Sequence, residues 1–442
     1  MNYRKIGLCA LIGSTLIGWM AFAGCSKLES INGPGLRSGN ADFSVYAAIG
    51  TSLSAGSQSG GGLVVHHQRR SFPADFAGQI GATFTIPSFS PDGFPALLRL
   101  VSLSPLVISS AGRTDGVPTN LAQATAYHNM AVPGAILLDV ADSSLYYNAS
   151  ARGPVQVQRF NYIVRHHGTI LTEVASLHPT FVSFEMGANE VLGPVVGFGS
   201  GTAILTGAEF TFVLHQTLDG LHLAAPNAKL AIVNVPDMTS IPFCTTIKPW
   251  IVLPTTGVHV PLIGPNGPLD PHDFVLLTAV GSLSSGIGIP VALGGTGQPL
   301  PDTQVLRVSE ATELQTTIAE YNAAITSEAS ARGAALVDLN GLLTKAATTG
   351  IRYQGTLYTS AFITGGLFSL DAVHPNDFAY GLLCNVMIDA VNAKFGASIP
   401  EVHLSSVASL TASSMRPSGG LPVIRNAPEV YRDIVPWRAP LP

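Results

Sequence analysis

Four short blocks of residues that could together perform acyl transfer lie far apart in this chain of 442 residues. They are Gly50–Gly56 (GTSLSAG), Asn129–Ala135 (NMAVPGA), Gly187–Glu190 (GANE) and Asp371–Pro375 (DAVHP). The blocks supply a serine hydroxyl, a glycine N–H, an asparagine side-chain amide, and a histidine preceded by a carboxylate. These groups can serve as a nucleophile, oxyanion donors, and a general base with its orienting acid, which is the set that attack on a carbonyl carbon requires.

The first block places Ser52 where a nucleophilic hydroxyl could be exposed. The apolar run Phe43–Ile49 predicts a buried strand, and Gly50 predicts a tight turn directly after it. A serine in such a turn can lie near a helix N-terminus, although most serines in turns have no catalytic role. A similar sequence, Gly281-Ser282-Leu283, follows another apolar run. We favour Ser52 because it follows the first strand of the domain and precedes the other three blocks.

The last block supplies the candidate base. A neutral His374 imidazole can take a proton from serine and return it to the leaving group. Asp371 lies three residues earlier, and in a turn its carboxylate can reach Nδ1 and fix the tautomer. The His66-His67 and His166-His167 pairs could suggest a metal site. Side chains of adjacent residues are expected to diverge, so we predict no metal site.

The order and chemistry of the four blocks resemble those of the SGNH/GDSL hydrolase superfamily of esterases and lipases. The resemblance extends from about residue 43 to residue 396 and is most specific at Gly187-Ala188-Asn189 and Asp371-x-x-His374-Pro375. It implies that no metal or other cofactor is needed. The site residues that it implies are the nucleophile Ser52, the base His374 with Asp371, and an oxyanion hole formed by Ser52, Gly134 and Asn189.

Two positions depart from the pattern of this superfamily. Thr51 stands where the family usually has an aspartate before the nucleophile, and Glu190 stands where it usually has an aspartate after the asparagine. Neither change removes a catalytic role. Both argue against close kinship with the best-known members.

Strands alternating with helices predict a parallel sheet covered on both faces. The resemblance implies, more specifically, a flavodoxin-like α/β fold, a three-layer α/β/α sandwich with long loop insertions. Ser52 and Asn189 both follow predicted strands, so both should lie at the carboxyl edge of the sheet. Further predicted elements are strands at 180–186, 229–235 and 334–339, and helices from 160 to the residue before Pro179, from Ser309 to 332, and at 377–395.

The chain divides into four predicted regions. Residues 1–24 form a lipoprotein signal peptide, 25–41 a polar tether, 42–398 the hydrolase domain, and 399–442 a Pro-rich tail. Two irregular insertions, at about 57–120 and 251–302, interrupt the domain. Only 11% of residues are charged and the net charge is −5, with no basic run. This composition argues against nucleic acid as a partner.

The N-terminal segment predicts export and attachment to a membrane. Basic Arg4 and Lys5 precede an apolar run that ends in small residues before Cys25. This pattern is typical of a bacterial lipoprotein, cut before Cys25 and lipidated on its sulfur. The alternative is a transmembrane anchor, because a span needs about 20 apolar residues. Ser26 rather than aspartate after the cysteine favours the outer membrane, and an ordinary signal would instead make the protein secreted.

Export would place the remaining cysteines in an oxidising compartment. Cys244 and Cys384 could therefore form a disulfide. Cys384 also fits the apolar pattern of a helix, so two buried free thiols are the alternative.

The sequence thus predicts a lipid-anchored serine esterase or lipase that hydrolyses a small-molecule or lipid carboxylic ester through an acyl-enzyme on Ser52. A carbohydrate O-deacetylase of the same superfamily is one alternative, although an aromatic share of only 7% argues against a sugar-stacking site. A non-catalytic surface-binding lipoprotein is the other alternative.

Overall fold

The computed structural model describes residues 36–103, 106–404 and 423–424. The predicted signal peptide, Cys25 and most of the tether and tail lie outside these residues. Within them, no helix combines the length and the apolar character needed to cross a bilayer.

A sheet of five parallel strands forms the centre of the molecule. The strands are β1 (Tyr46–Gly50), β2 (Asn129–Ala131), β3 (Phe181–Phe184), β4 (Lys229–Val233) and β5 (Ala335–Val337). Their order in the sheet is β5-β4-β3-β1-β2, which is the order of flavodoxin-like sheets. The predicted α/β class and parallel sheet are therefore confirmed.

Helices cover both faces of this sheet. The main helices are α1 (Ser52–Ala55), α2 (Phe72–Ile80), α3 (Pro154–Ile163), α4 (Ile170–Ser176), α5 (Ala188–Phe198), α6 (Gly207–Ala224), α7 (Val308–Ala331), α8 (Leu339–Thr348) and α9 (Asp377–Phe395). Alternate strand residues point to opposite faces, so that Ala47 and Ile49 enter one core while Tyr46 and Ala48 enter the other. The first core also contains residues of α3, α4, α6 and α7, and the second contains residues of α2 and α9.

Two predicted helix boundaries are wrong. The helix expected from Phe160 to the residue before Pro179 is two helices, α3 and α4. The chain breaks between them at Arg165 and His166, which both have a φ of +60°. Helix α7 begins at Val308 rather than being capped by Ser309. Its N-terminus is closed by Glu310, whose carboxylate accepts the backbone N–H of Arg307 at 2.8 Å.

Both predicted insertions contain regular structure. The first includes α2, a short helix at Val65–Gln68, and a hairpin of Arg99–Leu103 with Leu106–Ser109. Val423–Ile424 from the tail pairs with this hairpin. The second insertion contains short antiparallel strand pairs and a helix at Val280–Ser284, which carries Ser282.

Of the two alternatives for Cys244 and Cys384, the structure has the buried free thiols and no disulfide between these residues. Cys244 belongs to the core on one face of the sheet, and Cys384, on α9, belongs to the core on the other face. The two Cα atoms of a disulfide lie roughly 5.5 Å apart, which residues in separate cores do not achieve.

Candidate active site

Ser52 is the first residue of α1 and lies at the carboxyl end of β1. Thr51 before it is extended, with a φ of −110°, so the chain turns sharply from strand into helix. Gly50 is required at this turn, because a Cβ there would lie 2.1 Å from Ser54 Oγ. The local sequence therefore places the Ser52 hydroxyl at a helix N-terminus, where the first backbone N–H groups have no partner within the helix.

Glu185 holds this turn in place, and the sequence did not single it out. It directly follows β3, and its buried carboxylate lies under the Ser52 turn. It accepts the Thr51 backbone N–H at 2.9 Å and the Thr51 hydroxyl at 2.9 Å. It also accepts the Ser54 hydroxyl at 3.0 Å and the Ser54 N–H at 3.3 Å. Burial raises the pKa of Glu185 to about 7, while the bonds from Thr51 and Ser54 act in the opposite direction.

Asp371 and His374 form the predicted acid–base pair. His374 Nδ1 lies 2.8 Å from Asp371 Oδ2, and both residues are buried. The turn between them includes Ala372, which has a φ of +62°. Burial opposes ionisation of Asp371, but its pKa still lies well below the usual range because of the His374 charge and several hydrogen bonds. The other donors to its carboxylate are the backbone N–H groups of Gly60, Gly61, Val373 and His374 and the Ser369 hydroxyl.

The second ring nitrogen of His374, Nε2, is buried and has no hydrogen-bond partner among the described residues. His374, Ser52 and Asn189 all line one cavity of about 70 Å³. Ser282 does not line this cavity. The candidate base therefore shares a cavity with Ser52 and not with the alternative serine.

The two other predicted oxyanion donors are Asn189, at the start of α5, and Gly134, in the turn after β2. Asn189 is the second residue of α5, and its Nδ2 donates to the Ala135 carbonyl at 2.7 Å. An amide nitrogen carries two hydrogens, so one remains available for a substrate oxygen. Gly134, next to Ala135, has a φ of +81°. It does not itself line the cavity, and a Cβ there would meet Gln156 Oε1 at 2.7 Å.

Arg159 links the two sides of the site and was also missed from the sequence. This arginine is fully buried on α3. Its guanidinium donates to the Gly61 carbonyl at 3.1 Å and to Gln156 Oε1 at 3.3 Å. Gly61 donates to Asp371, and Gln156 packs against Gly134. Arg159 therefore connects the loop that binds the Asp371 carboxylate with the turn at Gly134. The sequence does not indicate that Arg159 is buried beside the site, because an arginine on an amphipathic helix usually lies on its exposed face.

Glu190 ties the start of α5 to the segment after Gly134. Its Oε1 accepts the Leu137 backbone N–H at 2.6 Å, and the residue is completely buried. Burial raises the pKa of Glu190 to about 8, and the bond from Leu137 only partly opposes this shift. The folded protein therefore favours the neutral carboxyl at this position.

We expect Glu190→Gln to remove a pH dependence of stability. In wild type, the unfolded chain ionises this group near 4.5 and the folded protein near 8. The contribution of the neutral carboxyl is thus complete below pH 4.5 and is lost as the pH rises through about 8. Relative to the variant, the free energy of unfolding of wild type should fall by up to about 1.4 kcal/mol per pH unit in this window. Urea unfolding at several pH values measures it.

Glu313→Gln serves as the control, because Glu313 is exposed on α7. The plot of its free energy of unfolding against pH should run parallel to that of wild type. Parallel curves for Glu190→Gln as well would show that Glu190 is ionised in the folded protein.

The histidine pairs differ from expectation in one detail. The rings of His66 and His67 do not diverge, since their centroids lie 4.0 Å apart. His67 Nδ1 contacts Asp377 at 2.8 Å. In the part of the chain that the structure describes, no group of three or more His, Cys, Asp or Glu residues is arranged to hold a metal ion.

Comparisons with known proteins give one family and several solved structures. The model of the GDSL-like Lipase/Acylhydrolase family matches residues 46–386. A protein described as a GDSL-like lipase from Parabacteroides merdae is 9% identical, with 80% of this chain and 99% of that chain covered and a TM-score of 0.36. Phospholipase A1 from Streptomyces albidoflavus is 13% identical, with 80% and 100% covered and a TM-score of 0.33.

An extracellular lipase from Streptomyces rimosus is 14% identical, with 78% and 98% covered and a TM-score of 0.33. A search of curated proteins gives no significant match.

Proposed function

Because the chain belongs to the family of GDSL-like lipases and acylhydrolases, we propose that it is a serine esterase that hydrolyses carboxylic esters through an acyl-enzyme on Ser52. Hydrolysis of the esterase or lipase type is the activity of this family. The observation that carries the finer proposal is the meeting of Ser52, Asn189 and His374 at one cavity, with Asp371 behind the histidine.

Each group has a defined role in the proposed reaction. Ser52 Oγ attacks the ester carbonyl carbon while His374 Nε2 takes the hydroxyl proton. The carbonyl oxygen becomes an oxyanion, which accepts hydrogen bonds from the backbone N–H groups of Ser52 and Gly134 and from Asn189 Nδ2. The C–O bond to the alcohol then breaks, and His374 gives its proton to the leaving oxygen.

The second half repeats the first with water as the nucleophile. His374 takes a proton from water as the water oxygen attacks the acyl carbon. The bond to Ser52 then breaks, and the serine oxygen recovers its proton from His374. The carboxylic acid leaves, and Asp371 holds the imidazole in the required orientation and tautomer throughout.

An ester panel tests this proposal. We expect purified protein to hydrolyse p-nitrophenyl esters in a series from acetate to palmitate, and not acetylated sugars. The apolar side chains around Ser52 favour this result. Turnover of acetylated sugars alone would replace the proposal with carbohydrate deacetylation. A folded protein that turns over neither class would be a binding protein on a hydrolase scaffold.

We expect Asn189→Ala to lower kcat by about 10²-fold with little change in KM, because this donor acts mainly on the developing oxyanion. Steady-state kinetics with p-nitrophenyl acetate measure both constants. Asn189→Asp provides a matched control, since it keeps the size of the side chain and replaces the donor with an acceptor. It should be impaired at least as strongly, and an unchanged kcat in Asn189→Ala would remove Asn189 from the oxyanion hole.

We also propose that the enzyme is anchored to the outer membrane by lipid on Cys25. Support comes from the sequence alone, namely the basic start, the apolar run and the small residues before this cysteine. Stable anchoring takes two or more acyl chains, because a single chain binds only marginally. Mass analysis of the mature N-terminal peptide tests the modification. A mature protein without acyl mass on Cys25 would instead be secreted.

A further inference from the structure

A second apolar cavity adjoins the cavity at Ser52. It has a volume of about 60 Å³ and lies between α8 and α9. Four residues line both cavities, namely Leu339, Leu343, Phe368 and Pro375. The two spaces are therefore separated by no more than these side chains. Pro375 directly follows the candidate base His374, so the junction lies beside the reacting groups.

The walls of the second cavity suit only an apolar ligand. Every residue that lines it is leucine, isoleucine, alanine, phenylalanine or proline. A polar ligand would lose its hydrogen bonds to water there without replacement, which disfavours its binding. A hydrocarbon chain gains from leaving water in the same place.

We propose that this second cavity receives the distal part of the acyl chain, so that the enzyme acts on esters of aliphatic acids longer than acetate. The inference rests on the proposed esterase function. The acyl carbon is bonded to Ser52 in the intermediate, and its chain extends along the first cavity and past Leu343 and Phe368 into the second.

The course of the reaction favours the acyl chain over the alcohol as the occupant. The alcohol has to leave the site before water attacks the acyl-enzyme, whereas the acyl group stays bound through both steps. Two residues that line the second cavity but not the first, Leu383 and Ala346, are only 1% and 4% exposed. Contact with these buried side chains would hold the acyl chain in place while its carbonyl carbon remains bonded to Ser52.

Ala379 offers a test of this assignment. It lies in the first turn of α9, lines the second cavity but not the first, and is only partly buried. Phenylalanine at this position would fill the second cavity without contacting the Ser52 cavity. Ala393 lies on the same helix, is exposed and lines neither cavity, so Ala393→Phe is a matched control.

The measurement is the ratio of kcat/KM for p-nitrophenyl octanoate to that for p-nitrophenyl acetate. In wild type, kcat/KM should rise about fourfold per added methylene until both cavities are filled. Ala379→Phe should lower the ratio about tenfold or more, the equivalent of about two buried methylenes. Ala393→Phe should keep the wild-type ratio. Leu382→Ala enlarges the cavity and should shift the optimum to longer acyl chains, so the test does not depend on one variant folding.

The outcomes separate this inference from the proposed function. Folded wild type that hydrolyses no ester would remove the esterase proposal itself. Ester hydrolysis with the same chain-length preference in wild type, Ala379→Phe and Leu382→Ala would overturn the acyl-chain assignment alone. A parallel series of acetate esters with increasingly long alcohols tests whether the alcohol, rather than the acyl chain, occupies the second cavity. A selectivity change confined to that series would also overturn the assignment.

Discussion

Replacing Ser52 by alanine is expected to remove nearly all ester hydrolysis, with a loss of about 10⁶-fold in kcat. The loss should be this large because the residue provides the atom that bonds to the acyl group. The fold should be unaffected, because Thr51, Ser54 and Glu185 hold the turn through hydrogen bonds that do not involve the Ser52 side chain. Loss of activity without loss of stability would therefore identify a catalytic residue.

A fluorophosphonate probe provides the direct measurement, because it forms a covalent bond with an activated serine. Wild type should be labelled and Ser52→Ala should not. Ser282→Ala is the matched control and should be labelled like wild type, since Ser282 lies on the helix of the second insertion and lines no part of the His374 cavity. Labelling that persists in Ser52→Ala and disappears in Ser282→Ala would assign the nucleophile to the second serine.

The sheet and the site blocks could be predicted because their signals are local. Buried parallel strands appear in the sequence as short apolar runs. Strands β3, β4 and β5 fall within the runs identified, and β1 extends one residue beyond its run, to Gly50. The residue that follows a strand must lie at the carboxyl edge of the sheet. This rule placed Ser52 and Asn189 correctly relative to each other before their contacts were known.

The supporting groups could not be predicted because they act over long sequence separations. Glu185 holds a turn 134 residues earlier in the chain, and the aspartate missing at Thr51 was the only sequence hint of a different arrangement. The choice between a disulfide and two free thiols stayed open in the sequence for a related reason. Cysteine counting carries no information on which face of the sheet Cys244 and Cys384 occupy.

The break between helices α3 and α4 could not be predicted either. The apolar spacing of α3 and α4 fits a single helix, and the break depends on positive φ angles at Arg165 and His166. Positive φ is uncommon for residues other than glycine, although histidine adopts it more often than most. The break is stabilised by tertiary contacts, since Arg165 donates to the Thr125 carbonyl at 2.9 Å and the His166 N–H donates to Tyr147 Oη at 3.0 Å.

The second large effect is expected from Asp371→Asn. Asp371 Oδ2 accepts from the loop N–H groups of Gly60 and Gly61 and contacts His374 Nδ1 at 2.8 Å. In an asparagine, an NH₂ group replaces one of the two carboxylate oxygens, Oδ1 or Oδ2. If the asparagine oxygen takes the Oδ1 position, where it keeps the bonds from the Ser369 hydroxyl and the Val373 and His374 N–H groups, the NH₂ takes the Oδ2 position. It then faces Nδ1, which must accept. His374 would carry its hydrogen on Nε2 and could not take the proton of Ser52.

We therefore expect Asp371→Asn to lower kcat by about 10⁴-fold through the wrong tautomer, and to slow labelling by the fluorophosphonate probe. Kinetics with p-nitrophenyl acetate and a thermal unfolding curve on the same preparation separate catalysis from folding. Asp377→Asn is the control, because Asp377 contacts another histidine, His67, at 2.8 Å and does not line the Ser52 cavity. Its activity should stay close to wild type. A folded Asp371→Asn protein within tenfold of wild-type kcat would show that Asp371 does not set the tautomer of the base.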